Sequence, residues 1–436
     1  MEYQDTNERF YITADDYNRS FGKEQFYRLY NVRYRTLQSL CLKEAQKVYG
    51  SNLSCTSFGD LEPGVSTYID GVVVKISANH QSISAVEFPV PWLSSTVDDS
   101  KSIEYDPRSK TSPRDTLWIE NNVHRLQIEG DEVVTDKLVG GYVVGLYGHK
   151  SLETCGFVVE RLFFPELAPQ VPWPIVEQEV FLLFISGFGM NSEMEKYAGT
   201  YVAFKQLVDW FDTDDGKKIN RVIVAGNTMD ISGGDIKLGQ LTKHGLPRSM
   251  DFKAINQADR VLQGLAKIVE VDLMSGSTDL CSLMMPQQPM IRGAFQRCKE
   301  TKNLRTLPNP HSFTVNGIHF LGTSGQNLDD LHKHTRACTS AELMMQTLRG
   351  RIITPTAPNS VDSWPFEDRD PQILDEIPHV YFAGNQPKFS FEKVQFENGA
   401  HTNLLTIPNF REKSEAVIMN VRTMRTRRLI FEQLFF

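Results

Sequence analysis

Three apolar segments of this sequence lead directly into loops that contain glycine, at residues 180–188, 222–230 and 379–387. Each has the β-branched and aromatic content of a strand buried on both faces. Open α/β sheets build their sites in the loops at the carboxyl ends of strands. A two-metal hydrolase needs Asp, His and Asn side chains there to hold and bridge its cations. These loops present Ser, Phe, Asn and Pro instead, so the choice lies between an enzyme and a former enzyme kept for its shape.

Strand and helix patterns alternate from residue 179 to the C-terminus. We predict strands at 180–186, 221–225, 270–274 and 379–383, helices at 193–211, 251–269 and 340–350, and a hairpin at 313–322 that turns on Asn316 and Gly317. This alternation is typical of a layered α/β or α+β domain.

The first 165 residues show other patterns. The spacing of Phe26, Tyr30, Arg33 or Tyr34, and Leu37 predicts an amphipathic helix over 23–49. Packing of this helix on its own domain is favoured, and a stripe that binds a partner is the alternative. Five short strand patterns between residues 61 and 164 suit a small Greek-key barrel such as an OB-fold, interrupted by a polar insertion at 98–115.

The predicted fold class is therefore α/β with a β-barrel. Four prolines within residues 165–174 exclude a helix and indicate a stiff, extended connector between the two parts. We assign an N-terminal helical segment to residues 1–50, an OB-fold domain to 51–165, a Pro-rich connector to 166–178 and the layered domain to 179–436.

Charge and composition exclude several classes of function. The net charge of −8 argues against a dominant, sequence-independent affinity for nucleic acid, although a local basic patch remains possible. The arginine-rich run at 422–428 fits an exposed edge beside a final strand better than a nucleic-acid contact. Six scattered cysteines without a Cys-x-x-Cys pair indicate reduced thiols. No signal peptide and no apolar run of membrane-spanning length is visible, so we expect a soluble intracellular protein.

Motifs for other chemistries are incomplete. Gly187-Phe-Gly189 lacks the third glycine of a dinucleotide fingerprint, there is no Walker A sequence, and no serine lies in a Gly-x-Ser-x-Gly elbow. His332 and His334 form the His-x-His pair, but without a third ligand nearby they indicate a solvated helix start. Asp230 and Asp279 lie at strand ends, where local turn chemistry explains them more simply than metal binding.

The order of these parts and several strings resemble the family of small, or B, subunits of eukaryotic DNA polymerase delta. The strings are those at residues 224–227, 286–289, 321–327, 354–358, 364–366 and 378–382. The resemblance extends from about residue 9 to about residue 423. It implies an OB-fold joined to a calcineurin-like phosphoesterase domain, a two-sheet α/β sandwich.

The same resemblance implies that this phosphoesterase domain is inactive. Its active relatives, which include archaeal polymerase small subunits that act as nucleases, carry metal ligands in four motifs. The corresponding vestigial positions here are Ser186 and Phe188, Asn227 and Asp230, Ser277 and Thr278, and Asn385 and Pro387. Of these residues only Asp230 is kept, so a bridging carboxylate and the imidazoles are missing. The implied site has no catalytic residue, no metal and no cofactor.

For function, the resemblance implies a non-catalytic scaffold subunit of the DNA polymerase delta complex. It would bridge the cysteine-rich C-terminal module of the catalytic subunit and the third subunit, in DNA replication and repair synthesis in the nucleus. Weak or indirect DNA contact, no membrane and no small-molecule substrate are expected. The Met- and Pro-rich stretch 283–295 is either a partner surface or an irregular core segment. The alternatives are a metal-dependent phosphodiesterase or 3′-nuclease with a degenerate site, and a single-strand-binding module built on the barrel.

Overall fold

The computed structural model describes residues 1–20, 26–77, 111–112, 114–131, 133, 137–191, 198–231, 252–336 and 338–431. The strands in these ranges are Tyr3–Asp5 (β1), Ser66–Ile76 (β2), Thr116–Glu120 (β3), Arg125–Glu129 (β4), Val143–Lys150 (β5), Phe157–Phe163 (β6), Phe181–Ile185 (β7), Ile219–Val224 (β8), Glu270–Met274 (β9), Leu304–Leu307 (β10), His311–Val315 (β11), Ile318–Thr323 (β12), Val380–Gln386 (β13), Ser390–Gln395 (β14), His401–Pro408 (β15), Glu415–Asn420 (β16) and Arg425–Ile430 (β17). The helices are Ala14–Ser20 (α1), Tyr27–Tyr49 (α2), Ala198–Trp210 (α3), Phe252–Ala266 (α4), Gln326–His334 (α5), Ser340–Arg349 (α6) and Phe410–Lys413 (α7). Most of the predicted insertion at 98–115 lies outside the described residues.

The five strands expected in the N-terminal half close into a barrel in the order β2-β3-β4-β6-β5. Strand β2 pairs with both β3 and β5, and this double pairing closes the barrel. Gly71 of β2 allows the close approach of β3, because a Cβ at this position would lie 2.6 Å from the carbonyl oxygen of Glu120. The interior is filled by buried aliphatic side chains such as Ile69, Val73 and Leu146.

Helix α2 packs on the outside of this barrel, against β2, β5 and β6. Its buried positions recur every four residues, at Leu29, Arg33, Leu37, Cys41 and Ala45. This spacing places them in one row on the helix. The predicted packing of the helix on its own chain is confirmed, and the apolar stripe is not available to a partner.

The C-terminal half is built on two six-stranded sheets. One has the order β1-β11-β12-β13-β15-β14 and the other the order β10-β9-β8-β7-β16-β17. The two sheets share an apolar core that includes Phe184, Ile223, Phe320 and Phe382. The predicted hairpin at 313–322 is present as β11 and β12, with Asn316 and Gly317 at its turn.

Helices cover the outer face of each sheet. Leu207 of α3 and Leu262 of α4 pack on the sheet that contains β7 and β8. Leu328 of α5 and Leu343 of α6 belong to a core cluster that also holds Leu321 of β12 and residues of the barrel. The layers are therefore helix, sheet, sheet, helix, and the second helical layer joins the barrel to the sandwich. No helix in the described ranges is long and apolar enough to cross a membrane.

Strand β1 was not anticipated from the sequence. Its three residues pair antiparallel with β11, with Tyr3 opposite Val315. The N-terminus of the chain therefore extends the C-terminal sandwich rather than the barrel that follows it in sequence.

Candidate functional site at the strand ends

The loops that follow β7, β8, β9 and β12 meet the carboxyl end of β13 at one end of the sandwich. Gly187 N donates to Gly226 O over 3.0 Å. Asn385 N donates to Ser186 Oγ over 2.8 Å, and Asn385 Nδ2 donates to Ser324 O over 2.8 Å. Strand ends of both sheets thus meet at one edge of the sandwich, which we call the strand-end cleft. This is the edge where α/β folds place their sites.

In the first loop, Ser186 and Phe188 point in different directions. Ser186 is fully buried, and its Oγ donates to Pro408 O over 3.1 Å. Phe188 packs edge-on against Phe204 and Phe410, at centroid distances of 5.3 and 5.6 Å. The aromatic side chain therefore belongs to the core beneath the outer helices and does not line the cleft.

The second loop carries Asn227 and Asp230. Asn227 has a φ of +54°, and its Oδ1 accepts from Ser277 Oγ at 3.3 Å and from Thr278 N at 3.4 Å. Asp230 Oδ2 lies 3.2 Å from Nη1 of Arg411, a residue of the short helix α7. The carboxylate kept from the motif therefore faces a guanidinium of the same chain.

In the third loop, Ser277 is exposed and Thr278 Oγ1 donates to Met229 O over 2.6 Å. Asp279 is buried, its Oδ1 accepts from Met229 N over 2.9 Å, and its Oδ2 has no hydrogen-bond partner. Burial raises the pKa of Asp279 to about 7, although backbone amides act in the opposite direction. The hydrogen bond with Met229 joins the third loop to the loop after β8, 50 positions away in the sequence. It is a tertiary contact and not the local turn chemistry that was predicted.

The carboxyl end of β13 contributes Asn385, which has a φ of +57°. Its Nδ2 also lies 3.2 Å from Ala225 O, and its Oδ1 accepts from Asn409 Nδ2 at 3.3 Å. Pro387 follows the end of β13 and is exposed. The amide thus joins the carboxyl ends of three strands.

A buried network of amide and hydroxyl side chains lies next to this cleft and was missed from the sequence. Asn309 Nδ2 donates to Gln287 Oε1 over 2.8 Å and to Ser324 Oγ over 2.7 Å. Gln326 Nε2 donates to the same Gln287 Oε1 over 2.8 Å. Gln287, Ser324 and Gln326 lie within strings that carry the family resemblance, which was the available signal.

The polar groups that the cleft could offer to a metal ion are therefore neutral amides and hydroxyls, one carboxylate beside a guanidinium and one buried carboxyl group. This set differs from the bridging carboxylate and imidazoles of a two-metal centre. In the part of the chain that the structure describes, no group of three or more His, Cys, Asp and Glu residues could hold a metal ion.

The remaining sequence candidates lie away from the cleft. The prediction of a helix start at His332 and His334 was wrong, because both lie in the last turn of α5. The apolar residues of this helix are Leu328 and Leu331, and two positions are too few to show a helical period in the sequence. The six cysteines are free.

The arginine-rich run at 422–428 includes most of the edge strand β17, as predicted. Arg422 and Arg427 pair with Glu179 and Asp215 at 2.8 and 3.0 Å. In the stretch 283–295 the interpretation as a core segment is confirmed in part, and the interpretation as a partner surface stays a prediction. Leu283, Met284 and Ile291 are exposed, whereas Met285, Met290 and Phe295 are buried.

Comparison with known proteins agrees with this architecture. The model of the DNA polymerase alpha/epsilon B-subunit family matches residues 182–391, which cover much of the sandwich. The model of the DNA polymerase delta subunit OB-fold domain matches residues 25–162, which cover α2 and the barrel. The chain thus has the two modules of the small subunit of a replicative DNA polymerase.

Relatives identify the particular subunit. The DNA polymerase delta small subunit of Arabidopsis thaliana is 30% identical, over 99% of this chain and 95% of that protein. The Saccharomyces cerevisiae DNA polymerase delta small subunit is 23% identical, over 93% and 89%. The DNA polymerase II small subunit of Methanothermobacter thermautotrophicus is 23% identical, over 69% and 60%. The chain belongs to the DNA polymerase delta small subunit family, whose members are accessory subunits in DNA replication.

Proposed function

We propose that this chain is a non-catalytic scaffold subunit of the DNA polymerase delta complex, built on a calcineurin-like domain that has lost its phosphoesterase chemistry. The observation that carries this proposal is that the polar side chains of the strand-end cleft are bonded to other groups of the same chain. Asn227, Asn385 and Ser186 already bond to other groups of the protein, and Asp230 faces the guanidinium of Arg411.

Electrostatics supports the absence of hydrolysis. Two divalent cations need several anionic or imidazole ligands, because the ions must exchange their hydration shells for protein donors. A cation near Asp230 would meet the positive charge of Arg411 at close range. Without a bound cation, no water is activated for attack on a phosphodiester.

A rigid surface is what such a domain still provides. We propose that it bridges the C-terminal cysteine-rich module of the catalytic subunit and the third subunit, in nuclear replication and repair synthesis. The shared core between the barrel and the helices α5 and α6 supports this role, because it gives the two modules a fixed relative position. The exposed apolar side chains of Leu283, Met284 and Ile291 are suited to contact with a partner.

A hydrolysis assay with metal analysis tests the loss of chemistry. We expect no turnover of an activated phosphodiester by the purified chain in manganese, and a metal content far below one ion per chain. The degenerate-site nuclease is the alternative function. It would be established by turnover with near-stoichiometric metal that Asp230→Ala abolishes and the exposed control Asp209→Ala preserves.

Purification of the tagged chain from nuclear extract, followed by mass spectrometry, tests the scaffold role. We expect the polymerase delta catalytic chain to be recovered, and a Leu283→Asp/Ile291→Asp variant to recover less of one partner than the surface control Val123→Asp. Recovery of the chain without any polymerase catalytic subunit would contradict the proposal.

A further inference from the structure

The connector between the barrel and the sandwich has a regular exposure pattern although it contains no helix or strand. Pro169, Pro172, Ile175 and Gln178 form one exposed row in which every third residue takes part, and Val171, Glu177 and Glu179 are exposed beside it. The side chains of another row of the same spacing, Leu167, Gln170, Trp173 and Val176, are all partly buried. A period of three residues is that of the polyproline II helix, and Pro165, Pro169, Pro172 and Pro174 favour this conformation.

The inward row holds the connector against the sandwich. Trp173 stacks parallel to the ring of His401 at 4.6 Å and lies 4.5 Å from the ring of His379. Gln170 Nε2 donates to His401 O over 2.8 Å, and Gln170 Oε1 accepts from His401 N at 3.2 Å. These contacts fix the rotation of the segment about its own axis.

The backbone of the connector is fixed as well. Pro169 O accepts from Ile377 N at 2.8 Å, and Val171 O accepts from His379 Nε2 at 2.8 Å. His379 Nδ1 in turn accepts from His319 N at 2.8 Å, so its imidazole links the connector to β12. These bonds hold the connector in one conformation in the absence of any partner.

The outward side is apolar and rich in proline. Ile175 is 93% exposed and Val171 49% exposed. Pro169 and Pro172 have the Pro-x-x-Pro spacing, and Val171-Pro172 is an exposed hydrophobic–proline dipeptide. Grooves that recognise proline-rich segments are lined by aromatic side chains and accept such dipeptides from one side of a polyproline II helix.

We propose that residues 169–175 are a preformed polyproline ligand for the aromatic-lined groove of a partner protein. A segment held in its bound conformation loses less conformational entropy on binding than a free peptide does. The flanking side chains are acidic or neutral, with Glu177 exposed at one end. The complementary groove therefore has basic residues on its rim at that end. Acidic residues, which would bind an arginine beside the proline segment, are not expected there.

Titration of purified, fluorescently labelled WW, SH3 and EVH1 domains with the full chain tests this proposal. We expect at least one of the three to bind with a Kd below about 100 μM, a strength ordinary for a single small interface. Pro172→Ala and Ile175→Ser should each weaken this binding at least tenfold, whereas Leu152→Ser, at another highly exposed position, should not. Binding by none of the three domains, or equal binding to Pro172→Ala, would overturn the proposal.

Preorganisation has its own test in the same assay. Trp173→Ala removes the anchor without altering the outward side chains, and circular dichroism verifies that the chain remains folded. We expect severalfold weaker binding by Trp173→Ala and by a free peptide of residues 168–178. Equal affinity of the free peptide and the full chain would show that the fixed conformation has no part in recognition.

Discussion

At the scale of single residues, Asp279 is the group that the strand-end cleft accommodates least well. It is 2% exposed, and one of its carboxyl oxygens has no hydrogen-bond partner. Burial raises the pKa of this group to about 7. The folded chain therefore binds the proton more tightly than the unfolded chain does. The stability that follows is fully present below the ordinary aspartate pKa and is lost as the pH rises through about 7.

Asp279→Asn should remove this pH dependence. One pKa unit corresponds to about 1.4 kcal/mol, so the variant should gain about 1–3 kcal/mol of unfolding free energy relative to wild type between pH 5 and pH 8. Urea unfolding at the two pH values measures the gain, and the difference between them cancels any constant effect of the amide. Asp209→Asn, at an exposed position, is the control. An unchanged pH dependence in Asp279→Asn would contradict the prediction.

The positions of the cleft residues could be predicted from the sequence, but the groups that they bond to could not. Ser186, Asn227 and Asn385 follow recognisable strands, so their place at strand ends was visible in the sequence. The ion pair between Asp230 and Arg411 joins residues 181 positions apart, and no local pattern indicates it. The direction of Phe188 depends on Gly187, whose φ is +70°. A positive φ turns the chain, so strand alternation no longer predicts the side-chain direction.

At the scale of elements, long apolar strands were predictable and the short strand β1 was not. A strand of three residues is too short to show a periodic pattern in the sequence. Side-chain contacts of Tyr3 stabilise it. The Tyr3 ring lies 4.0 and 4.2 Å from the guanidinium carbons of Arg221 and Arg305. Its hydroxyl donates to Oδ2 of the buried Asp272 over 2.9 Å.

Asp272 is charged in this arrangement. Burial alone would raise its pKa, but the His311 imidazole and the guanidinium groups of Arg221 and Arg305 lower the pKa of Asp272 to about 2. The Tyr3 hydroxyl is thus a donor to a buried carboxylate. This is the kind of hydrogen bond with the larger contribution to stability.

Tyr3→Phe should therefore destabilise the sandwich. A hydrogen bond to a charged group contributes about 1.5–3 kcal/mol, and we expect a loss of unfolding free energy in this range. Tyr27→Phe is the matched control, because Tyr27 is 53% exposed and its change should stay within about 0.5 kcal/mol. Equal, small effects of both substitutions in denaturant unfolding would show that β1 is held by its ring alone.

At the scale of the whole molecule, the order of the two modules was predictable and their joint packing was not. Composition and periodicity separate the barrel from the sandwich at the proline-rich connector. The common core, however, combines Ile69 and Leu146 of the barrel with Leu328 and Leu343 of the helices α5 and α6. Because these contacts join distant parts of the sequence, local patterns contain no information about them.

A buried ion pair also joins the modules. Arg33 of α2 and Asp370 of the C-terminal half are both completely buried in their side chains, and Arg33 Nε lies 2.8 Å from Asp370 Oδ2. Arg33 Nη1 donates further to Pro355 O and Ala357 O, at 3.1 and 2.9 Å. Three bonds from one side chain thus attach the helix on the barrel to the sandwich.

Arg33→Met should cost about 3–5 kcal/mol of unfolding free energy, because it leaves the Asp370 carboxylate buried without its counter-charge. The double variant Arg33→Met/Asp370→Leu should recover much of this loss, since a buried pair replaced by apolar side chains of similar volume is often tolerated. Arg28→Met is the control on the same helix. Arg28 pairs with Glu367 of the same C-terminal half at 2.6 Å, but its side chain is 44% exposed, so at most about 1 kcal/mol should be lost. Denaturant unfolding of the four proteins measures these differences. If Arg33→Met were as mild as Arg28→Met, the ion pair would not be what holds the two modules together.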